Sequence, residues 1–121
     1  MDLDTVFRHY LDCALWSSVE MTEDGNGEPL DESYDADDIA PEALVEMRAD
    51  VEAFVADNTD DLALAGQSDE QIGHDFWLTR NHHGAGFWDR GLGPVGDRLT
   101  KAAHVYGEVD LYVGDDDQLY V

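Results

Sequence analysis

Positive charge is the feature that this sequence has least of. It carries 29 acidic residues against six lysines and arginines, which gives a formal net charge of −23 at pH 7. A surface of this kind repels nucleic acids and anionic membranes, and it attracts basic proteins and cations. The composition therefore argues against direct binding to nucleic acid or to a membrane, and it predicts a basic protein as the partner.

Cysteine and long apolar runs are also scarce. The single cysteine, Cys13, cannot form an internal disulfide, and it lies in an apolar helical pattern typical of a small buried side chain. No apolar run is long enough to span a bilayer, and residues 1–4 lack the basic start of a signal peptide. We therefore expect a cytoplasmic protein.

The sequence does contain enough apolar material for one core. Hydrophobic residues make up 43% of the 121 positions, which is close to the ordinary share of a globular protein. A chain of this length is expected to form a single domain over 1–121. It should bury roughly two thirds of its unfolded surface.

The negative charge is concentrated towards the beginning of the chain. Residues 1–79 contain 22 acids and only two bases, Arg8 and Arg48, for a net charge of −20. Residues 80–121 contain seven acids and four bases, for a net charge of −3. This asymmetry predicts one strongly anionic region beside a nearly ordinary one.

The first half of the chain is predicted to hold two main helices joined by a loop. Apolar residues recur at helical spacing over 3–16, and Pro41 suits the first turn of a second helix that ends near Asp57. A shorter helix is predicted over 60–64. About residues 19–40, which include Tyr34 and Ile39 as anchors, should form a long acidic loop.

The second half begins with a further predicted helix. Ser68 and Gln71 have the spacing of a capping box, which starts a helix at 68. Residues 74–80 fit either a helix or a strand, and we favour a helix that is closed by Gly84.

A last helix and a hairpin complete the predicted fold. Gly93 and Pro94 open the helix and Gly107 ends it. Residues 109–121 read as a β-hairpin, to which residues 85–89 could add a third strand. The predicted class is α+β and mostly helical, with three to four helices and a small C-terminal antiparallel β-hairpin or three-stranded sheet.

Acidic residues on the second helix form the first candidate site. Glu42, Glu46 and Asp50 are four residues apart, so their side chains form a row with neighbours about 5–6 Å apart. Solvated helix faces normally mix charges of both signs, and this row instead resembles the phosphates of a nucleic acid. Together with the acidic loop it predicts a partner-binding surface made of Glu23, Asp24, Asp31, Glu32, Asp35, Asp37, Asp38, Glu42, Glu46, Asp50 and Asp57.

An aromatic segment forms the second candidate. Trp77 and Trp88 lie close in sequence to Arg80 and Arg90, and tryptophan with arginine is typical of hot spots in protein interfaces. The interpretation that we favour is structural, with the aromatic rings in the core and the arginines paired to aspartates around the glycine turns.

Histidines near residue 80 form a weaker candidate, for a metal. His74, His82, His83 and Asp89 are all potential ligands. Their spacing matches no standard zinc pattern and no thiolate accompanies them, so the sequence favours caps and loop contacts for these groups.

The remaining patterns do not indicate catalysis or a cofactor. Residues 24–28 begin like a calcium-binding EF-hand loop, but Pro29 stands where the turn glycine should be. The serines lack a nucleophile elbow, and the glycines over 84–96 lack the lysine of a phosphate-binding loop. We therefore predict a protein that is not an enzyme and that needs no cofactor.

Three segments carry a resemblance to a known family. They are residues 73–81 (GHDFWLTRN), 84–93 (GAGFWDRGLG) and 96–116 (GDRLTKAAHVYGEVDLYVGDD). The chain resembles a family of small acidic proteins encoded by tailed bacteriophages and related mobile elements. That family has no established activity, so the resemblance implies expression in the host cytoplasm and no catalytic residue. By analogy, small acidic phage proteins often block host machinery, including restriction and CRISPR effectors.

Three hypotheses for function follow. The leading one is a phage-type, DNA-mimic or anti-defence protein that binds and inhibits a basic nucleic-acid-handling protein. The second is a domain whose charge reflects adaptation to salt, because aspartate outnumbers glutamate 20 to 9 and lysine occurs once. The third is a metal-dependent enzyme that uses His74, His82, His83 and Asp89.

Overall fold

The computed structural model describes residues 1–21 and 27–121. In that part of the chain there are five α-helices and two antiparallel two-stranded sheets. The helices are α1 (Leu3–Ser17), α2 (Pro41–Asp57), α3 (Thr59–Ala65), α4 (Asp69–Arg80) and α5 (Pro94–His104). The strands are β1 (Val19–Met21), β2 (Gly27–Pro29), β3 (Tyr112–Val113) and β4 (Leu119–Tyr120). The predicted class, α+β and mostly helical, is confirmed.

The helices begin at the signals that the sequence contains. Asp2 caps α1 by accepting the amide of Asp4 at 3.1 Å, and Ser68 caps α4 by accepting the amide of Gln71 at 3.1 Å. The short helix α3 ends at Gly66, whose φ of 65° is the left-handed conformation that favours glycine. With α3 the count of α-helices is five, where three to four were predicted.

Helix α4 settles the choice between helix and strand for residues 74–80, because all of them are helical. The helix ends earlier than predicted, at Arg80 and not near Gly84. The Asn81 side chain donates to the carbonyl of Trp77 at 3.1 Å, and His82 has a φ of 56°. A side-chain amide cap and a left-handed residue thus stop the helix before the glycine is reached.

The prediction of a third strand over 85–89 is wrong. Residues Phe87–Asp89 form a 3₁₀ turn instead. The Asp89 carboxylate accepts the amide of Gly86 at 3.0 Å, and the Asp89 amide donates to the carbonyl of Gly86 at 3.2 Å. This closed turn leaves no extended backbone that could join the C-terminal hairpin, which therefore has two strands.

The core is built around stacked aromatic rings. Phe54 of α2 lies parallel to Phe76 of α4 with ring centroids 4.1 Å apart, and Tyr10 of α1 stacks on Phe76 with ring centroids 5.4 Å apart. Phe87 joins the stack beside Phe54 at 5.7 Å. All four side chains are fully buried, so these rings hold three helices and the 3₁₀ turn together.

The region predicted as an acidic loop contains regular structure. Strands β1 and β2 pair there, and 3₁₀ turns follow over Leu30–Glu32 and Ala36–Asp38. Ile39 is buried and Tyr34 is half-buried, so both side chains anchor the region to the body as predicted.

No helix within the described residues is both long enough and apolar enough to cross a membrane.

Helices α1 and α4 approach each other closely at Gly73. A Cβ atom at this position would overlap the carbonyl oxygen of Val6 and would lie 2.9 Å from the amide nitrogen of Tyr10. Both of these atoms belong to the backbone of α1, so they cannot move aside as a flexible side chain would. Glycine at 73 is therefore the residue that allows the two helices to touch.

We predict that Gly73→Ala destabilises the fold, although alanine normally stabilises a helix by roughly 0.5–1 kcal/mol relative to glycine. The expected loss is about 2 kcal/mol of unfolding free energy, because the added methyl group forces the helices apart. Chemical denaturation followed by circular dichroism measures it. Gly84→Ala is the matched control, since a Cβ at 84 meets no atom within 4 Å among the described residues; equal losses in the two variants would contradict the prediction.

Candidate protein-binding surface

Four of the six basic side chains are used in ion pairs within the described residues. Arg48 contacts Asp4 at 2.7 Å, and Arg98 contacts Asp61 at 2.9 Å. The buried Arg80 pairs with the partly exposed Asp50, and the partly exposed Arg90 pairs with the buried Asp75. Few cations are therefore left to neutralise the carboxylates on the surface.

Arg80 lies at the centre of a buried polar network. Its side chain is 3% exposed, and its guanidinium donates to the Asp50 carboxylate at 2.8 Å and to the Tyr10 hydroxyl at 3.0 Å. It also donates to the backbone carbonyls of Tyr106 at 3.0 Å and Gly107 at 2.9 Å. The network joins α1, α2, α4 and the turn after α5, and it occupies Asp50, which the sequence placed on the binding surface.

Half of the predicted hot spot is wrong because its side chains lie in the core. Trp77 is 2% exposed and its indole donates to the Ser17 hydroxyl at 2.8 Å, while Arg80 is buried as described. Neither residue has enough exposed surface to act as an interface hot spot. Trp88 remains 51% exposed.

The fourth hot-spot residue, Arg90, is directed towards the interior by a buried carboxylate. Asp75 is fully buried and accepts hydrogen bonds from the Arg90 guanidinium, the closest at 2.9 Å. Gln67 and Gln71 donate to the same carboxylate at 2.9 and 2.8 Å. The hydrogen bonds to Asp75 raise the pKa of Arg90 above its ordinary value. The structural interpretation of the arginines therefore fits both Arg80 and Arg90.

We predict that Arg80→Lys lowers the unfolding free energy by about 3 kcal/mol, because an ammonium group cannot reach all four acceptors and leaves a partly buried carboxylate unpaired. Arg98→Lys is the control at an exposed pair, where the expected loss is about 1 kcal/mol or less. Urea denaturation of the two variants measures both values. A loss at position 80 no larger than that at position 98 would contradict a structural role for the network.

The exposed side of α2 keeps two of the three carboxylates in the predicted row. Glu42 and Glu46 are exposed, and so is Asp57 near the end of the helix. Val45, which is 69% exposed, lies between the two glutamates on this side of the helix. The row is therefore real but shorter than predicted, because Asp50 turns towards Arg80.

The 3₁₀ turns before α2 present more carboxylates. Asp31, Glu32 and Asp37 are exposed. Asp35 caps its turn by accepting the amide of Asp37 at 2.9 Å, and Asp38 accepts the amide of Asp35 at 2.9 Å. The carboxylates of Asp35 and Asp38 thus hold the turn in shape.

Two residues of the predicted surface, Glu23 and Asp24, lie outside the described residues. Residues 24–26 of the segment that begins like an EF-hand loop lie there as well. The described part of the surface begins after β2.

The C-terminal hairpin adds acidic residues that sequence reasoning did not assign to this surface. Ile39 forms an isolated parallel bridge with Leu119, and the amide of Ala40 donates to the carbonyl of Leu119 at 2.9 Å. This pairing brings the hairpin turn, residues 115–117, beside residues 35–42. The run of three aspartates at 115–117 was visible in the sequence, but only the bridge shows where it lies.

The pKa values of two tyrosines report the proximity of these carboxylates. Burial raises the pKa of Tyr34, and the negative charges of Glu20, Asp117 and Asp38 raise it further. The Tyr120 hydroxyl donates to Asp116 at 2.6 Å, which is the main reason that its pKa rises to about 12, and Glu42 contributes to the same effect.

Together these groups form one surface, which we call the acidic face. No lysine or arginine occurs within residues 31–46 or 115–117, and no basic side chain in the described residues comes within 4 Å of its carboxylates. The acidic face consists of Asp31, Glu32, Asp35, Asp37, Asp38, Glu42, Glu46, Asp115, Asp116 and Asp117.

We predict that Asp116→Asn lowers the pKa of Tyr120 from about 12 towards its ordinary value of 10.0, because the negative acceptor is removed. Since the folded pKa lies above the unfolded one, this hydrogen bond stabilises the fold below pH 10 and loses its effect as the pH rises through about 12. An NMR titration of the Tyr120 ring carbon measures the shift. Asp115→Asn removes the same charge without removing the hydrogen bond, so an equal shift in that variant would contradict the assignment.

The four candidate metal ligands are not arranged as a site. Burial lowers the pKa of His74, the ring of His82 stacks on that of His104 at 4.2 Å, and His83 is exposed. Asp89 accepts a backbone amide in its own turn. Across residues 1–21 and 27–121 no three histidine, cysteine, aspartate or glutamate side chains are grouped to hold a metal. The geometry gives the metal-enzyme hypothesis no support.

Comparisons of this chain with protein-family models, with curated proteins and with solved structures found no match. The resemblance to small acidic phage proteins therefore stays a prediction.

Proposed function

We propose that this chain is a non-enzymatic, phage-type protein of the host cytoplasm that uses the acidic face to bind and inhibit a basic, nucleic-acid-handling protein. The observation that carries the proposal is the acidic face itself, with its ten carboxylates and no lysine or arginine in residues 31–46 and 115–117. A partner that normally binds phosphates would find a similar array of negative charges here.

The buried residues beneath the acidic face support a role for it in recognition. Ile39 and Ala40 lie directly beneath it, and they are 3% and 0% exposed. Leu119 is 0% exposed and ties the hairpin turn to the same support. A backbone that is already held in place loses less conformational entropy on binding than a mobile one, so this buried support suits the acidic face to a specific partner.

Electrostatics would dominate the encounter with such a partner. Potentials of this sign accelerate association with a basic protein and slow the approach of nucleic acids. Screening by salt is strong, because the Debye length is about 10 Å at 0.1 M ionic strength. Inhibition would then result from occupation of the partner's nucleic-acid site.

We predict that binding to such a partner weakens steadily with added salt and depends on where the charges lie. The assay measures binding of a panel of purified bacterial DNA-binding proteins to the immobilised chain from low to high potassium chloride, with lysozyme as a basic protein of unrelated function. The test variant combines Glu32→Gln, Glu42→Gln and Glu46→Gln, and we expect it to bind roughly tenfold more weakly at low salt.

A second triple variant controls for total charge. It combines Asp12→Asn, Glu70→Gln and Asp97→Asn, all of which are exposed and outside the acidic face. We expect its affinity to change by about twofold or less, since only long-range, screened interactions are lost. Equal weakening by both variants, affinity independent of salt, or equal binding of lysozyme would contradict the proposal.

Salt adaptation is the alternative that one observation favours. Exposed carboxylates such as Asp12, Glu70 and Asp97 also lie far from the acidic face in sequence, as expected when charge serves solubility in brine. In that case the fold should require molar potassium chloride, because salt screens its self-repulsion. Unfolding measured in dilute buffer distinguishes salt adaptation from the proposed binding function. If the fold is fully stable without added salt, salt adaptation does not explain the charge.

A further inference from the structure

A second concave site lies outside the acidic face. It is a cleft of about 470 Å³ between three parts of the chain: the junction of α1 and β1 at residues 17–19, the end of α4 with residues 81 and 83, and the segment 108–112. Its volume lies in the range typical of ligand pockets. None of its lining residues belongs to the acidic face.

The floor of the cleft is held rigidly. The Trp77 indole donates to the Ser17 hydroxyl at 2.8 Å, and that hydroxyl donates to the carbonyl of Cys13 at 2.7 Å. The Asn81 side chain donates to the Trp77 carbonyl at 3.1 Å and accepts the amide of Val109 at 2.8 Å. These bonds join the end of α1, α4 and the segment after α5, so the shape of the cleft does not depend on a ligand.

The walls of the cleft offer acceptors for a cation next to an apolar surface. Glu108 and Asp110 are exposed on one wall, and no lysine or arginine lines the cleft. Val19 and Tyr112 are 58% and 52% exposed, and Trp77 supplies the aromatic floor. A ligand that fits these walls has a positive charge on an alkyl stem, as the side chains of lysine and arginine do.

The backbone of residues 108–111 suits an extended ligand. Glu108 and Asp110 are exposed, whereas Val109 is half-buried and Leu111 is buried, which is the alternation of a strand. The segment leads directly into β3 but belongs to none of the strands that the described residues form. Segments of this kind bind peptides by pairing with them as an added strand.

We propose that this cleft binds an extended, positively charged peptide segment, with its backbone beside residues 108–111 and its lysine or arginine side chains against Glu108 and Asp110. The proposal does not depend on the acidic face, because the two surfaces share no residue. It assigns to the chain a concave peptide-binding site that is separate from the acidic face.

The experiment uses a short probe and the full chain. A blocked tripeptide, acetyl-Arg-Val-Arg-amide, is titrated into ¹⁵N-labelled protein and followed by NMR. We expect shifts at the Trp77 indole and the Val109 amide, and no shift at residues 35–46. Acetyl-Gln-Val-Gln-amide should bind at least roughly tenfold more weakly, since it lacks the charge-assisted contacts.

Two double variants of equal net charge test whether Glu108 and Asp110 bind the peptide. Glu108→Gln with Asp110→Asn should weaken the arginine peptide roughly tenfold, whereas Asp97→Asn with Glu70→Gln should change its affinity by about twofold or less. All four side chains are exposed, so both proteins should fold, and their NMR spectra report this directly.

Three results would overturn the proposal. They are an absence of shifts at Trp77 and Val109, equal binding of the neutral and charged peptides, and equal weakening by the two double variants. Agmatine, which has a guanidinium on an alkyl stem without a peptide backbone, serves as the last comparison. Binding of agmatine as tight as that of the tripeptide would reject the peptide assignment. Because the spectra report the cleft and residues 35–46 of the acidic face separately, the result for the cleft is independent of the proposed function.

Discussion

The buried guanidinium of Arg80 is the interaction on which the rest of the structure depends. It contacts Asp50 of α2, Tyr10 of α1 and the carbonyls of residues 106–107 after α5. A chain with only six basic residues places one of them where four elements meet. Removal of a partner from such a network leaves charge or polar atoms unpaired in the interior, which is costly. One of the few positively charged side chains is therefore used to stabilise the fold.

The surface follows from this use of the arginines. Arg48, Arg80, Arg90 and Arg98 are paired to aspartates or glutamates elsewhere, and among the described residues no lysine or arginine lies within 4 Å of the carboxylates of residues 31–46 and 115–117. Repulsion among their carboxylates opposes folding, and buried apolar residues beneath them offset it. The acidic face and the carboxylates of the cleft thus follow from one charge imbalance, and both proposals of a positively charged partner depend on it.

Local signals predicted much of the fold. Pro41 and Ser68 marked the starts of α2 and α4, because a capping side chain or a fixed φ acts within one turn of the helix. The end of α4 was predicted wrongly. Gly84 is the stronger stop signal in the sequence, but the side chain of Asn81 caps the helix three residues earlier. The hot-spot prediction failed at Trp77 and Arg80 for another reason: burial depends on which elements pack together, and residue type alone leaves that open.

The sign and size of the charge, the α+β class and the helix starts are determined by the sequence by itself, because each depends on composition or on neighbours along the chain. Tertiary structure alone decided which carboxylates are free, since Asp50 and Asp75 are held by arginines 30 and 15 residues away. It also joined residues 115–117 to residues 35–42 through the bridge of Ile39 with Leu119. Pairing between distant segments depends on how the core packs, which no local pattern records.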